Sequence, residues 1–248
     1  MSFNWIEKTN LQMPLRGTFL SLGSPLLARM AAQLGFDWVL IDLEHGACSE
    51  AGLQSMLLAV EGTTCVPIVR VVSNDQDCIK RALDLGAAGI MVPYVSTAEE
   101  ATKAVAYTRY PPHGCRGVAS STIATDFGLT MDEYHANVHD RTLVIVQIET
   151  VQGVSNIDQI AAVDGVDVVF VGPLDLSYNL GCPKQFEHPD LISALETVVA
   201  AGQQAGKAVG ILSNEEKAQQ HLEQGFTFLA VGSDAGAARS GLQCLRDA

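Results

Sequence analysis

Eight apolar runs of strand length recur along the chain, at residues 17–22, 38–42, 67–71, 89–92, 143–148, 168–171, 208–212 and 228–231, each followed by turn residues and a helical pattern. A strand that reads as nearly continuous apolar residues is buried on both faces, which means a parallel sheet covered by helices. Parallel neighbours need crossovers of a dozen residues or more, and the spacing supplies them. Eight such units imply closure, so the predicted fold is one α/β domain, a (β/α)8 barrel of the TIM type, spanning residues 1–248.

Local signals support the alternation. Ser24-Pro25 places an N-cap before a proline at the first helical position, and Gly35 ends that helix. Asn74 is expected to cap the third helix and Ser213 or Asn214 the seventh, with Gly86 and Gly225 as stops. The rhythm breaks at 110–141, where Tyr-Pro-Pro-His-Gly-Cys-Arg-Gly and a polar segment precede the fifth strand. A connection of that length is expected to bind, to act as a lid or to contact a subunit. After the last strand, Ala235, Ala238, Leu242 and Leu245 form an apolar stripe that needs cover, from the barrel itself or from a neighbouring subunit.

Composition removes several function classes. Lys and Arg number 15 against 28 Asp and Glu, a formal charge of −13, so nothing here neutralises a phosphate backbone. The start of the chain lacks the basic-then-apolar pattern of a signal peptide, and no apolar stretch reaches the ~18 residues of a membrane span, so a soluble, cytoplasmic protein is expected. Dinucleotide and nucleotide glycine motifs are absent. Cys48, Cys65, Cys78, Cys115, Cys182 and Cys244 are irregularly spaced without a C-x-x-C pair, and are expected to be buried thiols.

In such barrels the chemistry projects from the carboxyl ends of the strands. Strand two ends in Asp42-Leu43-Glu44-His45-Gly46, strand three in Arg70, strand five in Gln147 and Glu149, and strand six runs into Asp175. Strands seven and eight end near Ser213 and Ser233-Asp234. Glu149 and Asp175 lie one strand-plus-helix unit apart, which brings both to the same rim. Two carboxylates with few soft ligands nearby suit a hard divalent cation such as Mg²⁺ or Mn²⁺ better than zinc. The alternative is that they cap the following helices or pair with Arg70. Asp42 and Glu44 are rival ligands or supports for them.

His45 has the imidazole of a proton shuttle, although a structural histidine fits the same spacing. A guanidinium at Arg70 can stabilise an enolate oxygen, or simply form a salt bridge with one of these acids. Asp84 lies in a helix, and spacing assigns it no role. The lysines at 8, 80, 103, 184, 207 and 217 miss the strand interiors and carboxyl ends, which disfavours imine chemistry. His135 and His139 have the i, i+4 spacing of a helical metal pair, but without an acid motif an exposed helix face is expected.

These residues, taken together, resemble the metal-dependent class II pyruvate aldolases. The resemblance runs through Gly17-Thr-Phe, Asp42-Leu-Glu-His-Gly46, Val69-Arg70-Val71, Ala82-Leu-Asp84-Leu-Gly86-Ala87, Tyr110-Pro-Pro-His-Gly114-Cys-Arg-Gly117, Gln147-Ile-Glu-Thr150, Gly172-Pro-Leu-Asp-Leu-Ser177 and Val231-Gly-Ser-Asp234. It implies reversible cleavage of a 4-hydroxy-2-oxo acid, such as 4-hydroxy-2-oxoheptanedioate or a 2-keto-3-deoxy sugar acid, to pyruvate and an aldehyde. It also implies a divalent metal, Mg²⁺, Mn²⁺ or Co²⁺, on Glu149 and Asp175, chelated by the keto acid. Gln147 and the backbone at Leu174 would then bind the keto acid beside Asp175, and Arg70 would stabilise the enolate. His45 would be the base, working with a water, and Asp84 the acid that raises its basicity. A homohexamer with exchanged terminal helices is implied as well. The sequence departs from the family pattern at Leu174, where alanine is usual, and at Tyr178-Asn179-Leu180-Gly181, which bears on the aldehyde pocket. Two other readings are a related acyl-CoA lyase, which the scarcity of basic residues opposes, and a keto-acid sensor without catalysis, which the set His45, Arg70, Glu149 and Asp175 opposes.

Overall fold

The computed structural model describes residues 5–248. Strands β1 (Leu15–Leu20), β2 (Trp38–Asp42), β3 (Val66–Arg70), β4 (Gly89–Val92), β5 (Leu143–Ile148), β6 (Val168–Val171), β7 (Ala208–Ser213) and β8 (Phe228–Ser233) close into a parallel barrel in chain order. The helices on its outside are α1 (Pro25–Gln33), α2 (Glu50–Val60), α3 (Gln76–Asp84), α4 (Ala98–Thr108), α5 (Met131–Arg141), α6 (Val151–Ser155), α7 (Ile157–Ala161), α8 (Pro173–Asn179), α9 (Pro189–Gln204), α10 (Ala218–Glu223) and α11 (Asp234–Asp247). The expected (β/α)8 domain is therefore present. Among the described residues no helix is long and apolar enough to cross a membrane.

Four strands coincide with their apolar runs; β1 does not, ending at Leu20 rather than at 22. Asp234, just past β8, accepts the N–H groups of Ser21 at 2.8 Å and Leu22 at 3.2 Å and so draws these residues out of the ladder. The same carboxylate seals the seam between the first and last strands.

Alternation along each strand divides the core into two layers. Phe19, Trp38, Ile68, Met91, Ile145, Phe170 and Phe228 fill the barrel interior. Val39, Ile41, Val69, Ile90, Val146, Val169 and Leu229 face outward, against helix residues such as Leu53, Met56, Ile79 and Val198. Trp38 stacks on Phe228 with ring centroids 4.3 Å apart. Gly17 makes that possible, because a Cβ there would lie 2.1 Å from the indole.

Helix starts follow the expected chemistry at α1 and depart from it at α3 and at α10, whose N-cap Lys217 has no side-chain cap bond. Ser24 caps α1 by accepting the Leu27 N–H, and Pro25 occupies the first position. The third helix is capped by Asp75, which accepts from Asp77 and Cys78, whereas Asn74 donates to the Glu100 carbonyl. Before α10, Asn214 accepts the Lys217 N–H at 2.8 Å.

The 110–141 segment is folded, and its anchors lie on α3 and α4 at the amino-terminal side of the barrel. Buried Arg116 bonds Asp84 at 2.7 Å and the Tyr134 hydroxyl at 3.0 Å, with its guanidinium 4.7 Å from the Tyr110 ring. His135 and His139 do not lie on an exposed face: they are half-buried against Tyr110, with centroids 4.6 and 5.9 Å away. Burial beside His113 and Arg109 pulls the His139 imidazole below its usual range. The cysteine expectation holds for Cys48, Cys65 and Cys182, which are buried, but Cys115 and Cys244 are exposed. The stripe on α11 is covered only at its start, where Ala235 and Ala238 are half-buried; further along, Leu242 is 68% and Leu245 75% exposed.

Replacing Gly17 with alanine is expected to cost roughly 1–3 kcal/mol by forcing Trp38 from its stack. Urea unfolding followed by tryptophan fluorescence measures it; stability equal to wild type would show that the indole has room to move.

Candidate active site

The site begins where β2 and β3 end, because their register sets Asp42 opposite Arg70. Arg70 Nε donates to Asp42 Oδ1 at 2.9 Å and Nη2 to Oδ2 at 2.8 Å, a bidentate pair inside the barrel mouth. Burial works against the Asp42 carboxylate, but the bonds and charge of Arg70 outweigh it and hold the group below its usual range. Asp42 Oδ1 also accepts the N–H groups of Glu44 at 3.0 Å and His45 at 3.3 Å, folding the Glu-His-Gly turn over the rim. Arg70 Nη1 lies 3.0 Å from Glu44 Oε2 and donates to Gln147 Oε1 at 3.5 Å. The Glu44 contact has ion-pair distance without hydrogen-bond alignment, so Oε2 is buried with no bond of its own. Burial first, then Asp42 and Asp175, push the Glu44 carboxyl up despite Arg70.

Across the mouth, β5 and β6 pair at Ile148 and Val171, which brings the turns that follow them side by side. Glu149 emerges buried from one; Asp175 comes from the first turn of α8 on the other. Gln147 Nε2 donates to Glu149 Oε2 at 2.7 Å. The backbone N–H of Tyr94 donates to Glu149 Oε1 at 3.0 Å, and its hydroxyl donates to Asp175 Oδ1 at 3.2 Å. Burial raises the Glu149 carboxyl to about 7, with Asp175 and Glu44 adding to the rise and the Tyr94 N–H and Arg70 opposing it. The Tyr94 phenol is pushed up to about 12 by burial and by the charges of Asp175 and Glu149, so it serves as a donor.

These residues fit a hard divalent cation. Asp42, Glu44 and Glu149 gather around Arg70, with Asp175 close to Glu149, and burial, reinforced by Asp175 and Glu44, keeps the proton on Glu149 up to neutrality. Asp42 has both oxygens committed to Arg70, which leaves Glu149, Asp175 and the unbonded Glu44 Oε2 as the available donors, with Glu149 and Asp175 tied together through Tyr94. Space exists beside them because residue 172 is glycine: a Cβ there would lie 2.5 Å from Glu149 Oε2. Among the described residues no cluster of three or more His, Cys, Asp or Glu forms a complete cage. A pair of acids that leaves coordination positions for substrate and water matches the habit of Mg²⁺ and Mn²⁺.

The structure thus brings together Asp42, Glu44, Arg70, Gln147, Glu149 and Asp175. His45 stands at the edge, with its side chain 63% exposed and Nε2 3.7 Å from Glu44. Leu174, 45% exposed, sits on the first turn of α8 beside Asp175. Asp84 stands apart: α3 descends from the rim, and its last residue lies about 13 Å down the helix axis, bonded to Arg116. Within one chain, Asp84 and His45 are at opposite ends of the barrel wall. Sequence reasoning missed Tyr94, for which the signal was its place two residues past β4, at a strand end where no acid or base stands.

The family model described as HpcH/HpaI aldolase/citrate lyase matches residues 15–240. The 5-keto-4-deoxy-D-glucarate aldolase of Salmonella paratyphi C is 44% identical over 93% of this chain and 90% of its own length. Among solved structures, a HpcH/HpaI aldolase/citrate lyase family protein from Burkholderia cenocepacia J2315 superposes with a TM-score of 0.91 at 40% identity, covering 96% of this chain and 98% of that one. The HpcH/HpaI aldolase of Desulfitobacterium hafniense DCB-2 gives a TM-score of 0.90 at 32% identity, with 98% of each chain covered. With the family pattern running from β1 into α11 on the same barrel, the chain belongs to the HpcH/HpaI aldolase/citrate lyase family and is a carbon–carbon lyase.

Proposed function

We propose that this lyase cleaves a 2-keto-3-deoxy sugar acid to pyruvate and an aldehyde, with Glu149 and Asp175 holding a divalent metal, Mg²⁺ or Mn²⁺. Retro-aldol cleavage of a 4-hydroxy-2-oxo acid is the reaction of this aldolase; the sugar acid and the metal are the finer proposal. The observation that carries it is the meeting of Glu149 and Asp175 on adjacent turns, bridged by Tyr94 and facing Arg70. The substrate class follows the 44% identical aldolase of 5-keto-4-deoxy-D-glucarate. A cytoplasmic enzyme is part of the same proposal.

A bound cation would polarise the carboxylate and keto oxygens of the substrate. The chain's own residues do the rest. Gln147, fixed between Arg70 and Glu149, and the backbone of Leu174 position the keto acid. His45, on the open side of the rim, accepts the proton of the 4-hydroxyl. The electrons of the C3–C4 bond then pass to the C2 carbonyl, the aldehyde departs, and Arg70 stabilises the enolate oxygen until C3 is protonated. Leu174 and Tyr178, both exposed on α8, border the space the aldehyde leaves through.

The role of Asp84 requires a second copy of the chain, because within one chain it cannot reach His45. The uncovered leucines of α11 give a homo-oligomer, a hexamer by resemblance, an apolar surface on which to assemble. Co-refolding His45→Ala with Asp84→Ala is expected to restore pyruvate release toward about one quarter of wild type in mixed oligomers. No recovery above the separate variants would remove Asp84 from the site.

Chelation by EDTA is expected to abolish pyruvate release from 5-keto-4-deoxy-D-glucarate, followed with a coupled dehydrogenase, and Mn²⁺ to restore it. Glu149→Ala and Asp175→Ala should each lower kcat/KM about 100-fold or more; wild-type rates in either would sink the metal pair. Arg70→Lys should lower kcat about 10²–10³-fold, since the bidentate hold on Asp42 and the directed charge are both lost.

The protonation of Glu149 sets a pH dependence. A carboxyl raised from 4.5 to about 7 gives up its proton more readily in the unfolded chain, so the metal-free protein should lose stability as pH rises from about 4.5 to 7. The cation competes with the same proton, so Mn²⁺ affinity should fall up to about tenfold per pH unit below 7. Calorimetric titration at pH 5.5, 6.5 and 7.5 measures this, and a flat profile would contradict it.

A further inference from the structure

We propose that Tyr94 is a positioning residue that sets the geometry of both metal-binding carboxylates from one strained point of the backbone; this rests on Glu149 and Asp175 being the metal pair. Tyr94 leaves β4 with φ of 54°, a left-handed conformation that a bulky side chain rarely adopts. Such outliers persist only where the surroundings over-determine them.

The surroundings do so here. The Tyr94 N–H reaches Glu149 at 3.0 Å, the Val95 N–H reaches the Gln147 carbonyl at 3.1 Å, and the Ser96 and Thr150 hydroxyls meet at 2.7 Å. Asn156 adds a bond to the Ser96 carbonyl at 2.8 Å. Three consecutive residues are therefore stitched along the exit of β5, and the left-handed turn is what aims the Tyr94 N–H at Glu149. From the same point the phenol reaches Asp175 Oδ1 at 3.2 Å.

This double contact answers a problem the two acids pose. They come from different turns, after β5 and in the first turn of α8, so neither turn alone fixes their spacing. A donor to both ties them, and it engages one oxygen of each while every carboxylate oxygen keeps a second lone pair for a cation. The rigid ring, with few torsions, fixes Asp175 more firmly than a flexible donor would. Partners that orient metal-ligating carboxylates in this way contribute to affinity without touching the ion.

The test is Mn²⁺ titration by calorimetry of wild type, Tyr94→Phe, Tyr94→Gly, Glu149→Ala and Asp175→Ala, with thermal melts of the metal-free samples. Tyr94→Phe keeps the ring and the backbone bond and removes only the hydroxyl. Its Mn²⁺ affinity is expected to fall about tenfold while its melting temperature stays within about 2 °C of wild type. Tyr94→Gly, which keeps the N–H, should lose at least as much affinity. The Mn²⁺ concentration giving half-maximal pyruvate release should rise in parallel with the loss in Tyr94→Phe. Equal affinity in wild type and Tyr94→Phe, alongside lost binding in Glu149→Ala and Asp175→Ala, would overturn the role of Tyr94 and leave the metal pair standing. Absence of Mn²⁺ binding by the wild type would overturn the metal pair and this inference with it.

Discussion

One buried guanidinium organises the carboxyl end of this barrel. Arg70 is taken out of water at a cost that only strong pairing offsets, and the bidentate contact with Asp42 supplies that pairing. The pair holds the ends of β2 and β3 level, and Asp42 in turn folds the backbone that presents Glu44 and His45. The far side of the guanidinium touches Glu44 and Gln147, so the same cation orients the residue that bonds Glu149. Removing it would leave Asp42 buried with an uncompensated charge, a change that typically costs about 3–5 kcal/mol.

The charge balance around Arg70 carries the functional argument. Asp42, Glu44 and Glu149 face one cation, with Asp175 beside Glu149, and burial keeps the proton on Glu149 to about 7. A rim in this state is short of positive charge. On the proposed mechanism a divalent cation would remove that deficit, and the enolate would be a further negative charge within reach of Arg70. In that proposal, binding and catalysis draw on the same electrostatic arrangement.

The two ends of the barrel are built differently. At the rim, Asp234 seals β8 to β1 and the 94–96 segment ties β4 to β5, so the loops that carry chemistry are cross-linked by directed hydrogen bonds. At the other end, the wall is closed by buried contacts of larger groups: Arg116 among Asp84, Tyr110 and Tyr134, and Lys8 on Asp167 at 2.9 Å. The long 110–141 segment belongs to this second kind of packing. Its length suggested a binding, lid or subunit-contact role; within the chain, its aromatic residues and Arg116 form a small core of their own with Val138 and Ala124.

Sequence by itself determined the barrel, because apolar runs buried on both faces leave few ways to pack, and it determined which residues reach the rim, because strand ends are fixed by where those runs stop. It also named Arg70, Gln147, Glu149 and Asp175, whose side chains the barrel then gathers into one site. Tertiary structure decided the partnerships. Whether Arg70 would meet Asp42, Glu149 or Asp175 depends on register across neighbouring strands, which no spacing along one strand reveals. Asp75 displaced Asn74 as a cap because Asn74 had a carbonyl on α4 to serve. Asp84 was bound to Arg116, and the α11 leucines were left in solvent, by contacts far apart in the chain. Tyr94 is the clearest case: its importance lies in a left-handed φ and two hydrogen bonds to residues 55 and 81 positions away, and such long-range geometry exists only once the barrel has closed.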